Sequence, residues 1–333
     1  MISLISNSNI YNQPSFGARL SVALASNPIK KKADEFLKNG NFDKAIEYYK
    51  AVLAQSPDDS EVNLSLAKTY TYNNQYKQAI PHLENYLKAR PDDIENITLL
   101  GECCKKSGMF SKSIEHFNKA LAIEPSYDYA RRNLLDAQNL QLACYDPQKA
   151  KQERYNTAIK NLTEAVKIAK QNLPKVYTDN MKDIVVSFDK TSKMGGRSNI
   201  AQYEHSKRKV SVTDEYTYAD PQLTGAYVIH EFVHGKDNDP YTSIREEQDA
   251  YRVQAKYWVD NVKNIYDPEM DYVADLYKQS AKALDDRVAE IYRLRDPGIP
   301  ETSYNHPPTK GKAAAFSLSS SAGKPLKAYE IIV

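Results

Sequence analysis

A period of 34 residues in the N-terminal third of the chain restricts the fold more than any other feature of the sequence. Four slots recur in register: a small residue, a large apolar residue, a further apolar residue and a proline. The residues in these slots are Ala45, Tyr49, Val52 and Pro57, then Ala79, Leu83, Tyr86 and Pro91, then Ser113, Phe117, Ala120 and Pro125. A period of this length indicates one supersecondary unit per repeat, because a unit that cannot bury its apolar face alone must stack on its neighbours.

The same register extends into the segments before these slots. Leu66 is matched by Leu100 and Ala67 by Gly101, and Gly40 and Gly108 precede the second helices of the first and third units. Over residues 26–127 the pattern resembles the tetratricopeptide repeat (TPR), a helix–turn–helix unit that stacks into an α-solenoid. Residues 129–143 are predicted to form a further helix that caps the stack, which gives a repeat domain over residues 26–145. The resemblance implies a concave groove for a peptide or protein segment; the alternative is a rigid spacer.

A second pattern, His230-Glu231-Phe232-Val233-His234, lies in the C-terminal half. On a helix, His230 and His234 leave the same face one turn apart, so that two ring nitrogens can bind one zinc ion. Glu231 can then reach a zinc-bound water as general base. Asp220 and Pro221 are a helix start signal and Gly235 suits a helix end, which supports a helix around the pattern.

A catalytic zinc site needs a third protein ligand, and the segment after residue 243 offers carboxylates. Ser243 and Glu246 have the spacing of a capping box at the start of an amphipathic helix. If Glu246 is engaged at this cap, Glu247 is the freer carboxylate and the preferred third ligand. Glu246 and Asp249 remain the alternatives.

A His-Glu-x-x-His helix followed by a helix with Glu-x-x-Ala resembles the gluzincin group of zinc metallopeptidases. The resemblance implies His230, His234 and Glu247 as zinc ligands and Glu231 as the catalytic base. Many gluzincins carry an aspartate four residues after the ligand glutamate, where it orients a ligand histidine. This chain has Tyr251 there, so a phenol, Asp249 or a backbone carbonyl is expected to hold the imidazole.

The residues before this helix predict the rest of an α+β zincin-like domain over residues 146–308. Three segments, 183–189, 199–204 and 209–213, have the β-branched or alternating pattern of strands in a small mixed or antiparallel sheet. The resemblance implies that segment 199–204 or segment 209–213 is an edge strand that pairs with a peptide substrate. Residues 156–169 form an amphipathic helix that is expected to back the sheet. Three residues, Tyr241, Tyr304 and His306, are candidates for oxyanion stabilisation.

The remaining composition argues against other classes of partner. The chain has 45 Lys and Arg against 43 Asp and Glu, so the net charge of +2 suggests neither nucleic acid nor a membrane surface. No run of 18 apolar residues exists, and the first residues lack a clear signal peptide. The three cysteines fall away from the histidine pattern and are read as free thiols in a reducing compartment, which predicts a cytoplasmic location. Residues 1–25 are expected to be disordered and residues 309–333 to form a flexible tail.

These patterns predict a zinc-dependent metallopeptidase whose TPR-like repeats recruit a protein substrate or partner. The alternative is a TPR-type protein-binding scaffold with an inactive zincin-like domain.

Overall fold

A computed structural model describes residues 28–179, 181, 183–190, 200–236, 243–295 and 330–332. The chain divides into two compact units, with the boundary after Ala150. No helix in these residues is long and apolar enough to cross a membrane.

In the described part of the first unit, seven helices follow one another in antiparallel pairs. They are α1 (Pro28–Lys38), α2 (Phe42–Gln55), α3 (Ser60–Tyr72), α4 (Tyr76–Ala89), α5 (Ile94–Lys106), α6 (Phe110–Ile123) and α7 (Asp128–Ala143). The predicted helix–turn–helix repeats and the additional helix after them are therefore confirmed. Each helix packs on the next one along the chain, as in a solenoid.

The turn between the two helices of each repeat also recurs every 34 residues. Gly40, Asn74 and Gly108 have φ angles of 70°, 57° and 77°. Glycine and asparagine are the residues that tolerate this left-handed conformation best. Between repeats, the side chains of Asp59 and Asp93 accept hydrogen bonds from the backbone N–H groups three residues later and so cap α3 and α5.

The periodic slots form the core of the first unit. All nine apolar or small residues at these slots are buried, namely Ala45, Tyr49, Val52, Ala79, Leu83, Tyr86, Ser113, Phe117 and Ala120. The matched positions in the first helix of each repeat pack against these slots. At Gly101 of α5 the approach is so close that an added Cβ atom would lie 2.8 Å from Cε1 of Phe117. The α5–α6 pair is thus packed too closely for any side chain at residue 101.

The second unit combines a small sheet with helices. Its helices are α8 (Pro147–Asn172), α9 (Lys175–Thr178), α10 (Pro221–His234), α11 (Ile244–Asn261), α12 (Pro268–Gln279) and α13 (Ala281–Arg295). Its strands are β1 (Val185–Asp189), β2 (Ala201–Glu204), β3 (Lys209–Thr213) and β4 (Glu330–Ile332). The predicted helix over residues 156–169 lies within α8, and the three predicted strands correspond to β1, β2 and β3.

The sheet is mixed, with the strand order β2-β3-β1-β4. β2 and β3 form an antiparallel hairpin, whereas β1 pairs with β3 in parallel. This order places β2 at one edge and β3 inside the sheet. Of the two segments predicted as a possible edge strand, segment 199–204 therefore lies at an edge and segment 209–213 does not.

β4 differs from the flexible tail that the sequence predicted for residues 309–333. Residues 330–332 pair antiparallel with Val185, Val186 and Ser187 of β1. Ile331 and Ile332 are strong strand formers, and their pairing satisfies backbone groups of β1 that would otherwise lie at a sheet edge. In the sequence, residues 330–332 are too few to show a strand pattern. Residues 309–329 and the predicted disordered residues 1–25 lie outside the described residues.

One hydrophobic core joins the sheet with α8 and α10. Leu162 and Val166 of α8, Val186 of β1, and Ile229 and Phe232 of α10 are all buried in it. α8 and α10 approach closely at Gly225, where an added Cβ would lie 3.0 Å from Cγ2 of Ile168. A second cluster packs one face of α11 against α12 and α13. α10 is therefore fixed between α8, the sheet and α11.

The close approach at Gly101 gives a test of the repeat packing. Replacing Gly101 with alanine should lower the free energy of unfolding by about 1–3 kcal/mol, because the overpacking outweighs the gain in helix propensity. The double variant Gly101→Ala, Phe117→Leu should recover part of the loss, since it reproduces the Ala67 and Leu83 pair of the preceding repeat. Chemical denaturation measures both values. A single variant as stable as the wild type would contradict the packing described here.

Candidate metal centre

The helix that carries the histidines begins and ends where its sequence signals place it. Asp220 caps α10 by accepting a hydrogen bond from the N–H of Gln222 at 2.8 Å, and Pro221 occupies the first turn. Gly235 follows the last helical residue. Apolar residues surround most of the helix, so that His230 and His234 are also buried, at 0% and 7% exposure. Their ring centroids lie 5.2 Å apart on the same face.

The third carboxylate comes from the first turn of α11. Ser243 caps this helix and accepts a hydrogen bond from the N–H of Glu246 at 3.2 Å, in agreement with the predicted cap. Because α11 packs against α10, Glu247 lies opposite the two histidines and is buried. The structure therefore brings together His230, His234 and Glu247, whose potential ligand atoms all lie within 4.8 Å of one another.

Two of the distances within the triad are close to the separation of ligand atoms around zinc. Nε2 of His230 lies 3.3 Å from Oε2 of Glu247, and Nε2 of His234 lies 3.6 Å from Oε1 of Glu247. Ligand atoms held tetrahedrally at zinc distances are separated by roughly 3.3–3.5 Å. Two imidazole nitrogens and one carboxylate are also a donor set that catalytic zinc sites use.

The Nδ1 atoms of both rings are engaged on the opposite side. Nδ1 of His230 donates to Oε1 of Gln254 at 3.2 Å, and Nδ1 of His234 donates to Oε1 of Glu246 at 2.9 Å. These bonds select the tautomers whose Nε2 lone pairs point towards Glu247. For His230 the structure describes no hydrogen-bond partner at Nε2. A nitrogen lone pair that faces a carboxylate oxygen calls for a cation between them, so the residues fit a metal ion.

The close packing of the buried cluster also shifts the pKa values of His234 and Glu247. Burial lowers the pKa of His234, but the charge of Glu247 and the hydrogen bond to Glu246 outweigh it, so the pKa is raised above its usual value. Burial raises the pKa of Glu247, but the charge of His234 and the proximity of the His230 imidazole outweigh it, so this pKa is lowered. A proton on His234 partly balances the carboxylates without a metal, and metal binding must displace it.

Glu231, the predicted base, is buried beside His230 in the sequence of α10. It is 2% exposed, and within the described chain its Oε1 atom has no hydrogen-bond partner. It lies on α10 directly after His230, and its charge contributes to the raised pKa of His234. A buried carboxylate with an unused acceptor atom is costly unless a ligand or water completes it.

The other candidate site residues either make contacts outside the triad or lie outside the described residues. Glu246 contacts His234 from the Nδ1 side, and Asp249 pairs with Arg252 at 3.0 Å, so neither belongs to the triad. Tyr241, Tyr304 and His306 lie outside the described residues.

The prediction that a phenol, Asp249 or a backbone carbonyl holds the imidazole was wrong for His230. The ring of Tyr251 contacts the ring of His230 edge-on, with 4.4 Å between the centroids. The hydrogen-bond partner of His230 is instead Gln254, whose Oε1 atom accepts from Nδ1. Gln254 lies seven residues after Glu247, two turns along the same helix face, so a search at this spacing could have found it. Tyr292 was also missed. Its hydroxyl donates to Oε2 of Glu247 at 2.7 Å, and a contact between residues 45 apart in sequence leaves no local signal.

Comparison with known proteins identifies the repeats. Family models of the tetratricopeptide repeat match residues 36–103 and residues 94–127. Residues 36–127 are therefore TPR repeats. Both matches end before the metal centre, and the gluzincin resemblance stays a prediction.

Several solved structures are similar to part of this chain. The chain is 22% identical to one described as "MamA MSR-1 C2", covering 37% of this chain and 70% of that chain with a TM-score of 0.33. It is 22% identical to "MamA 41-end from Desulfovibrio magneticus RS-1", covering 38% of this chain and 73% of that chain with a TM-score of 0.32. It is 16% identical to "First TPR of Spaghetti (RPAP3) bound to HSP90 peptide SRMEEVD", covering 34% of this chain and 91% of that chain with a TM-score of 0.32. No curated protein sequence matches the chain.

The two glutamates of α11 can be separated by zinc binding. The wild-type chain should bind one zinc ion, and His230→Ala or His234→Ala should abolish binding because each removes a nitrogen ligand. Glu247→Gln should also lose zinc. Glu246→Gln should retain it with an affinity about 10–100-fold lower, because the amide oxygen can still accept from Nδ1 of His234.

Zinc content after dialysis and a competition titration with a chromophoric chelator measure these effects. Asp260→Asn, an exposed carboxylate near the other end of α11, serves as the matched control for helix integrity. Full affinity in Glu247→Gln together with loss in Glu246→Gln would reverse the ligand assignment.

Proposed function

We propose that this protein is a TPR-type protein-binding scaffold that carries a zinc-dependent peptidase centre in its second unit. The repeats support the first part, because stacked helical hairpins present an extended concave surface on which protein segments bind. The partner of this surface is proposed to be a protein or peptide. The second part is carried by one observation, the convergence of His230, His234 and Glu247 around a common point.

The proposed metal is zinc, held by Nε2 of His230, Nε2 of His234 and the carboxylate of Glu247. Three protein ligands leave a fourth position for water or substrate. Bound there, zinc would supply a Lewis acid that polarises a peptide carbonyl and lowers the pKa of water. Glu246 and Gln254 hold the imidazoles, so that the ligand nitrogens are fixed before the metal arrives.

Glu231 is proposed as the general base. Its carboxylate is buried, and its Oε1 atom accepts no described hydrogen bond, so it can take a proton from a water molecule in the site. It does not belong to the ligand triad, which separates its role from that of Glu247.

A peptide is the proposed substrate because of the edge strand beside the site. β2 occupies the edge of the sheet, and Cζ of its Tyr203 would lie 3.4 Å from a Cβ added to Gly235, the residue directly after His234. An extended peptide can add to such an edge through backbone hydrogen bonds, which brings its main chain near the end of α10.

The alternative is a TPR-type scaffold whose zincin-like domain is inactive. The family comparisons favour this alternative over the peptidase, because all of the matched residues lie in the repeats. The side-chain geometry favours hydrolysis, because a purely structural zinc site has four protein ligands and no need of a buried, unengaged Glu231. A cytoplasmic location remains a prediction, and the free thiols Cys103, Cys104 and Cys144 are consistent with it.

Glu231→Gln distinguishes the two functions. The variant should bind zinc like the wild type but lose at least about 100-fold in rate, because an amide cannot accept the proton. Digestion of a library of unstructured peptides by the zinc-loaded full chain, analysed by mass spectrometry, measures the activity. Glu215→Gln, on the segment before α10, is a matched control. A zinc-loaded wild type that cleaves no better than Glu231→Gln would leave the scaffold with an inactive domain.

Removal of the repeats tests recruitment. A chain that begins at Pro147 should cleave short unstructured peptides at the rate of the full chain. It should lose most of its rate on a protein substrate, because binding energy from a remote surface is missing. Rates on both substrates and thermal unfolding of both chains are compared. An equal loss on both substrates would assign the repeats a supporting role only.

A further inference from the structure

We propose that Tyr292 is a positioning residue for the metal centre, which orients the carboxylate of Glu247 towards both histidines. This inference rests on the proposed zinc site. It adds a residue of α13 to a site whose ligands all lie on α10 and α11. The hydroxyl of Tyr292 donates to Oε2 of Glu247 at 2.7 Å, and both side chains are buried.

The carboxylate of Glu247 has two neighbours that require a defined orientation. Its Oε2 atom lies 3.3 Å from Nε2 of His230, and its Oε1 atom lies 3.6 Å from Nε2 of His234. One oxygen thus faces each imidazole. The last side-chain torsion of a glutamate has a broad energy profile, so rotation about it would remove this arrangement at little cost. The hydrogen bond from Tyr292 to Oε2 restricts that rotation.

The three members of the triad are then held in the same way. Gln254 accepts from Nδ1 of His230, Glu246 accepts from Nδ1 of His234, and Tyr292 donates to Glu247. Gln254 and Glu246 bind their histidines at Nδ1, on the other side of the ring from Nε2, and Tyr292 binds Oε2, the oxygen of Glu247 that also faces His230. Such partners typically contribute a factor of 10–100 in metal affinity.

α13 is fixed firmly enough on α11 to make this contact reliable. Arg252 of α11 forms two hydrogen bonds to the carboxylate of Asp285 of α13, at 2.7 and 2.5 Å, and Gln248 donates to the backbone carbonyl of Asp285 at 3.1 Å. Apolar residues of the two helices pack together below these polar contacts, among them Tyr251, Val288 and Tyr292 itself. Polar and apolar contacts thus define the position of the Tyr292 hydroxyl.

A purely structural explanation exists for the same contact. A buried phenol needs an acceptor, and Glu247 would then serve only to satisfy Tyr292. The two explanations differ in what the removal of the hydroxyl changes. A satisfied core phenol affects the stability of the fold, whereas a positioning residue affects the affinity and geometry of the metal site at unchanged stability.

The variant Tyr292→Phe removes the hydroxyl and retains the ring in its cluster. We expect the zinc affinity of the full chain to fall about 10–100-fold. The visible absorption spectrum of bound cobalt(II), which reports ligand geometry, should change in position or intensity. Zinc affinity is measured by chelator competition on the full-length chain, and folding by thermal unfolding in the absence of metal.

Two control variants exclude a general effect on the cluster. Tyr277→Phe removes a hydroxyl from a tyrosine packed against the same cluster, and Val273→Ala weakens the packing of α12 on this cluster without removing a hydrogen bond. Both should retain wild-type zinc affinity and the wild-type cobalt spectrum. If Tyr292→Phe is poorly folded, Val273→Ala supplies the comparison at reduced stability, and equal losses of affinity in the two variants would overturn the proposal.

The outcomes separate this inference from the proposed function. A wild-type chain that binds no zinc would reject the zinc site and the positioning role together. A wild-type chain that binds zinc, with unchanged affinity and cobalt spectrum in Tyr292→Phe, would reject the role of Tyr292 alone.

Discussion

Burial of the Glu247 carboxylate between two imidazoles is the interaction on which the second unit depends. A charged group in an apolar interior is tolerated only with partners that restore what water supplied. Nε2 of His230 and of His234 face its oxygens, and Tyr292 donates to one of them. The carboxylate lies on α11 and its partners lie on α10 and α13, so all three helices must pack correctly before the charge is stable. The apolar residues around the cluster serve the same end, because they exclude the water that would weaken each contact.

The repeats are built on a different principle. Their core consists of small and large apolar residues in register, and each helical pair relies on its neighbours. The closest contact, between Gly101 and the ring of Phe117, is a matter of shape and not of charge. The two units therefore rely on different contacts. In the second unit they include a buried cluster of charged groups, whereas in the first they are chiefly apolar contacts.

Patterns that repeat or that fall within one helix could be predicted from the sequence. The repeat register, the capped helix α10 and the pairing of β2 with β3 follow from residues within a short distance of one another. The preference for Glu247 rested on the expectation that the cap at Ser243 engages the side chain of Glu246, whereas in the structure only the backbone N–H of Glu246 is at the cap and its carboxylate accepts from Nδ1 of His234. What escaped prediction depends on contacts between distant segments. Gln254 was overlooked in favour of Tyr251, and Tyr292 and β4 meet their partners only after the chain has folded. Three residues at the end of a polar segment carry too little pattern to indicate a strand.

The two histidines of the centre are not equivalent electron donors. His230 is backed by the neutral amide of Gln254, and His234 by the charged carboxylate of Glu246. A carboxylate that accepts from Nδ1 increases the basicity of the imidazole, whereas an amide does so less. The carboxylates of Glu246 and Glu247 both contact the histidine pair, so their combined formal charge of about −2 would favour a divalent over a monovalent cation if an ion bound there. The partners at Nδ1 would then influence how strongly each histidine donates electrons to that ion.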